Sequence, residues 1–146
     1  MINNFKKFFF YYLSLLFIFS FIYLVKKHDV GNDSTISEWI INYSGGFTKR
    51  GIIGEICILI ANTFNISLRD TILIFQIIIV ALYFVLLFTL IKDIKTNRIL
   101  IFSVFSPIFI LYPVAEIEVL ARKEVFIFCI FILYLFINNP FLRNLY

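Results

Sequence analysis

The sequence predicts an all-α fold, a polytopic transmembrane helix bundle with interfacial helices in its first outer loop, and three observations point there. Of the 146 residues, 62% are hydrophobic and only 15% charged, with a mean hydropathy of +0.98, too few polar side chains to clothe a soluble domain. Long apolar runs recur along the chain. The cations lie in short clusters that flank these runs, which is the placement of topology and headgroup anchors and not of one basic face. A net charge of +4 and a pI near 9.1 therefore do not point to nucleic acid. A hydrocarbon core needs roughly 20 apolar residues per helix, so one membrane domain over residues 1–146 has room for about four or five spans.

The first run, Phe8 to Val25, is bracketed by Lys6-Lys7 and Lys26-Lys27. No small-x-small cleavage site follows it, so it reads as a retained anchor and not as a signal peptide. Residues 34–64 are expected to be interfacial or re-entrant. Thr35-x-x-Glu38 matches a capping box, in which hydroxyl and carboxylate satisfy free amides at a helix start. Ile36, Trp39, Ile40 and Tyr43 then recur at helical spacing and give one apolar, aromatic face, expected toward lipid or the bundle with Trp39 and Tyr43 at headgroup level. Gly45-Gly46 is expected to break that helix. The stretch Ile52 to Phe64 is short and carries Glu55, Asn62 and Thr63, which favours re-entrant or interfacial placement over spanning.

Thr71 to Ile91 is the clearest span, with Gln76 its one strongly polar interior residue. Ile99 to Ala115 contains Pro107 and Pro113, so a kinked or broken span is expected there. Val125 to Ile137 needs Asn138 or Asn139 at the interface to reach across. Cys57 and Cys129 fall inside apolar runs, where a small side chain packs well and no disulfide is expected. His28 is exposed by its sequence context. Asn32, Asn42 and Asn65 begin sequons, but Asn is common enough here that chance matches are expected.

If Ile52 to Phe64 does not span, Lys6 and Lys7 share a side with Lys92, Lys95 and Arg98, and that side reads as cytoplasmic. The opposite side keeps Lys26, Lys27, Lys49, Arg50, Arg69, Arg122 and Lys123 against the usual bias. It also collects Asp29, Asp33 and Glu38 from the first loop, with Glu116, Glu118 and Glu124 from the loop before the last run. Carboxylates beside a membrane can hold a divalent ion or act as a general base, and paired cations can hold a phosphate. The ordinary readings stand beside these: a solvated loop with a helix cap for the acids, and snorkelling to lipid phosphates for the cations. Lys49 and Arg50 oppose the macrodipole of a helix that follows them, a conflict that a bound phosphate or Glu55 would relieve. No metal-ligand spacing, Walker loop, nucleotide-binding glycine fingerprint or Ser/His/Asp set is present.

The run Trp39-Ile40-Ile41-Asn42-Tyr43-Ser44-Gly45-Gly46-Phe47-Thr48-Lys49-Arg50-Gly51-Ile52-Ile53-Gly54, followed by Ser106-Pro107 and Ala121-Arg122-Lys123-Glu124, resembles the N-terminal module of bacterial polytopic proteins of surface-polysaccharide loci. These are polymerase-like proteins and relatives of the GT-C glycosyltransferases. The resemblance covers nearly the whole chain and rests mainly on Gly46-Phe47-x-Lys49-Arg50-Gly51. It implies sugar transfer from a polyprenyl-linked donor in the inner membrane. An acid of the first outer loop, Asp33 or Asp29, would be base or metal ligand, and Glu116 or Glu118 the second-loop acid. Lys49, Arg50, Arg122 and Lys123 would then face the polyprenyl phosphate. Members of that family carry more spans than this chain has room for, so a truncated or reduced module is expected. A small non-catalytic membrane subunit is the alternative reading. A transporter fragment fits less well, because the spans are nearly free of the ionisable groups that mark an ion path.

Overall fold

The structure is a computed structural model and describes residues 2–30, 34–44, 46, 51–93 and 111–138. Among the described residues every regular element is a helix, as expected. In chain order they are α1 (Ile2–Asp29), α2 (Ser34–Ile40), α3 (Gly51–Phe64), α4 (Leu68–Asp93), α5 (Tyr112–Ala115), α6 (Ile117–Ala121) and α7 (Val125–Asn138). Two of them, α1 and α4, are long and apolar enough to cross a membrane. The 14 residues of α3 and of α7 give each about 21 Å, short of a hydrocarbon core of about 30 Å. Most of the expected third span, including Pro107, lies outside the described residues, and its last turn is the one-turn helix α5 with Pro113 in its first turn.

The α4 helix is the axis of the packing, with α1, α3 and α7 all against it. Its buried face, Ile72, Ile79, Val80, Tyr83, Phe84, Leu87 and Leu90, follows helical spacing and meets Leu13 and Leu24 of α1 and Val125, Cys129 and Ile132 of α7 in one apolar cluster. The α1 and α4 helices run antiparallel. Phe10 faces Phe88 with ring centroids 4.5 Å apart, Phe17 meets Phe84 edge-on at 5.4 Å, and at the far end His28 reaches Asp70. Lys7 and Lys92 therefore share one end of the pair. The outward residues remain apolar: Phe8, Tyr11, Leu15, Ile18 and Ile22 on α1, Ile74, Ile78, Leu82 and Val85 on α4.

Local chemistry sets the turns. Asn65 adopts φ 53° and the Ile66 amide donates to Ala61 O at 3.1 Å, closing α3 with a Schellman turn. Ser67 then caps α4, its hydroxyl accepting from the Asp70 amide at 3.1 Å and donating to Asp70 Oδ2 at 2.5 Å, a Ser-x-x-Asp version of the capping box. The chain therefore reverses within three residues. After α2, Asn42 Oδ1 accepts from the Ser44 amide at 3.0 Å in an Asx turn, and Gly46, at φ 115°, takes a conformation that favours glycine. That helix ends at Ile40, ahead of the Gly45-Gly46 break expected from sequence.

Candidate functional site

Two polar clusters sit along α4. The first joins the end of α1 to the start of α4. His28 Nε2 lies 3.0 Å from Asp70 Oδ1, and Arg69 Nη2 donates to Val30 O at 2.7 Å and to His28 O, so the carbonyls left free at the end of α1 find a cation. Asp70 stands in the first turn, ahead of the apolar run. Its carboxyl is held below the usual carboxylate range chiefly by the Ser67 hydroxyl, with His28 and Arg69 adding to it against an opposing effect of desolvation. His28, expected exposed, is instead enclosed in this clasp with 19% of its side chain accessible. The correction follows from α4, whose Asp70 lies 42 positions away in sequence and reaches it only after folding.

The second cluster centres on the Ala121 carbonyl. Trp39 Nε1 donates to it at 2.8 Å and Gln76 Nε2 at 2.7 Å. Ala121 is the last residue of α6, so its carbonyl has no partner within that helix. Two side chains from α2 and α4 supply what the helix cannot. Trp39, expected at headgroup level, is fully buried with Phe126 6.1 Å from it ring to ring. Of the expected α2 face, Ile36 and Trp39 are buried and Tyr43 half-buried, whereas Ile40 is exposed. The difference has one cause: α2 docks through Ile36 and the hydrogen-bonded Trp39, both in the core cluster, so its inward face is narrower than the expected stripe.

From that carbonyl the chain turns through Arg122, Lys123 and Glu124 into α7. Arg122 Nη2 pairs with Glu118 Oε2 at 3.2 Å, one turn back on the same face, while Arg122 Nε and Glu124 Oε2 are enclosed with no hydrogen-bonding partner among the described residues. Lys123 approaches the second turn of α3. Its charge is near enough to act on the Cys57 side chain there. Glu55, on the same helix, accepts from the Tyr43 amide at 3.4 Å and so holds the α2–α3 connection.

The sequence-selected residues divide between these places. Glu116 and Glu118 are exposed on the α5–α6 segment, and the structure joins Glu118 to Arg122. Asp29 closes α1, next to the His28 clasp. Asp70 and Gln76, the α4 anchors of the two clusters, are six residues and about 9 Å apart along the helix, so Asp29 and the α6–α7 turn belong to different levels of the bundle. Asp33, Lys49 and Arg50 lie outside the described residues. Among the described residues no group of three His, Cys, Asp or Glu side chains could hold a metal ion. Cys57 and Cys129 are free and buried. Sequence reasoning placed Arg69 only among the outer-side cations and passed over Asp70 and Ser67, although Ser-x-x-Asp before a long apolar run was a legible cap signal. It noticed Gln76 without assigning it a partner.

No family model matches the chain, nor does any curated protein or solved structure.

Proposed function

We propose that the chain is a multi-pass inner-membrane protein of about four or five spans that takes part in assembling polysaccharide or lipid-linked sugar, with the α6–α7 turn facing a polyprenyl phosphate. One observation supports this above others. Arg122 and Lys123 follow a carbonyl anchored by Trp39 and Gln76, so two adjacent cations are held alongside α4 on a turn that both neighbouring helices fix, and paired cations in such a place attract a lipid phosphate. A phosphate there gains charge-assisted hydrogen bonds from Arg122, whose Nε is unengaged among the described residues. Glu116 and Glu118 stand close by as candidate bases, and Asp29 and Asp33 belong to the first outer loop.

The test is charge reversal of Arg122 and Lys123 in a cell that depends on the protein for polymer assembly. Assembly should be lost, while the same change at Lys26 and Lys27 is tolerated; equal sensitivity of both pairs would assign the charges to topology. A non-catalytic membrane subunit is the second reading, favoured by the Glu118–Arg122 pair one turn apart, which neutralises one cation without any ligand. In that case Glu118→Gln with Arg122→Gln together should leave assembly intact.

A further inference from the structure

The third helix has a face that the bundle does not use. Gly51, Gly54, Cys57 and Ala61 are buried, whereas Ile52, Ile56 and Leu59 are 61%, 41% and 62% exposed and follow one another at i, i+4 and i+7. Thr63 continues that stripe toward the α4 turn with its hydroxyl donated back to Leu59 O at 2.7 Å, Glu55 beside it accepts from the Tyr43 amide, and on α4 a second outward stripe of Ile74, Ile78 and Leu82 lies exposed as well. The direction of α3 decides what can cover it. Only Asn65, Ile66 and Ser67 separate α3 from α4, and the Schellman turn reverses the chain there. At its other end α3 is tied well down α4. A side-chain carbon on Gly54 would come within 2.9 Å of Trp39 O, Trp39 Nε1 meets Ala121 O, and Gln76 of α4 meets the same oxygen. The start of α3 is thus level with the third turn of α4, not with its first.

We propose that α3 is a re-entrant helix whose Ile52, Ile56 and Leu59 stripe is immersed in lipid acyl chains. It enters one leaflet alongside α4, and its N-terminal end is the deeper one. An in-plane helix at the headgroups would keep all three residues at one depth; a helix folded back along α4 separates Leu59 from Ile52 by about 10 Å in depth. The acyl chains of a leaflet are the occupant called for by an apolar stripe on a helix that folds back along a helix long and apolar enough to cross a membrane. This inference rests on reading the chain as a membrane protein, and the experiment separates the two.

Single nitroxide labels are placed at Ile52, Ile56, Leu59 and Leu82 of the full chain in phospholipid nanodiscs, with the unlabelled-site parent, whose two cysteines are buried, as background. Collision rates with oxygen, which partitions into acyl chains, and with a water-soluble nickel chelate are then measured. The expected result is an oxygen-to-nickel ratio that is high at Leu82 and rises from Leu59 through Ile56 to Ile52. Equal ratios at the three α3 positions, with Leu82 in lipid, would mean an in-plane helix and overturn the proposal. Nickel access along α3 with Leu82 in lipid would put the stripe in water and overturn it while the membrane reading stands. Exclusion of both probes from α3 would show a protein partner or second copy on the stripe, again against the proposal. Nickel access at Leu82 itself would sink the membrane reading and this inference together.

Discussion

Trp39 and Gln76 converge on one oxygen, and that sharing sets how each substitution should behave. Trp39→Phe or Gln76→Leu removes one donor and leaves the Ala121 carbonyl still paired, so each should cost about 1 kcal/mol for the bond itself. Removing both leaves a buried carbonyl unsatisfied, at a further cost of about 1–3 kcal/mol. Unfolding of the two single variants and the double variant in mixed micelles should therefore give a coupling energy well away from zero; additive costs would mean that the two bonds act independently. Gly54 makes a sharper case. An alanine there would overlap the Ile41 carbonyl and crowd that of Trp39, backbone atoms that cannot step aside, so Gly54→Ala should destabilise by at least about 2 kcal/mol. Gly46→Ala meets nothing within 4 Å and suffers only its positive φ, which costs about 1 kcal/mol. The same unfolding assay ranks the two, and a reversed order would contradict the packing of α2 on α3.

Between elements, one carboxylate, Asp70, takes both the Ser67 cap of α4 and the His28 contact from α1, and its charge makes this junction sensitive to acid. Asp70 has a lowered folded-state pKa, so its contribution is present above the ordinary carboxylate value of about 3.9 and is lost as pH falls through the lowered one. The melting temperature of the native chain should exceed that of Asp70→Asn at neutral pH, and the gap should begin to close only below about pH 4. A gap that persists unchanged at lower pH would show that Asp70 acts without its charge. This clasp also marks the limit of what the sequence made legible. The long helices α1 and α4 were readable because a run such as Thr71 to Ile91 is apolar over almost its whole length. The helix α2 was readable as a short amphipathic turn, but the side its face would take was not: Ile36, Trp39 and Ile40 look alike in periodicity, and only the distant Ala121 carbonyl decides that Trp39 goes inward. The pairing of Arg122 with Glu118 was available from their i, i+4 spacing. Its proximity to Cys57 through Lys123 was not, because 66 residues separate Lys123 from that cysteine.

At the scale of the whole molecule, α4 is a spine with its two polar clusters at different heights, and the apolar helices around it fill the intervals. The antiparallel register of α1 on α4 gives a direct check. A cysteine pair at Phe10 and Phe88, whose rings are 4.5 Å apart, should form a disulfide on mild oxidation in membranes, whereas Phe10 with Ile72 should not; the opposite pattern would require α1 to run parallel to α4.

The shared carbonyl also imposes an order of assembly. Trp39 and Gln76 stand 82 and 45 residues ahead of their acceptor, so a ribosome delivers both donors long before Ala121 exists. The hairpin of α3 and α4 can close on local contacts as soon as it emerges. Until the segment around Ala121 arrives, an indole N–H and a carboxamide wait inside a half-built bundle, where each needs water or a temporary partner. A nascent chain stalled before residue 121 should consequently be the form most open to a membrane insertase or protease, and release of the stall should end that vulnerability in a single late step.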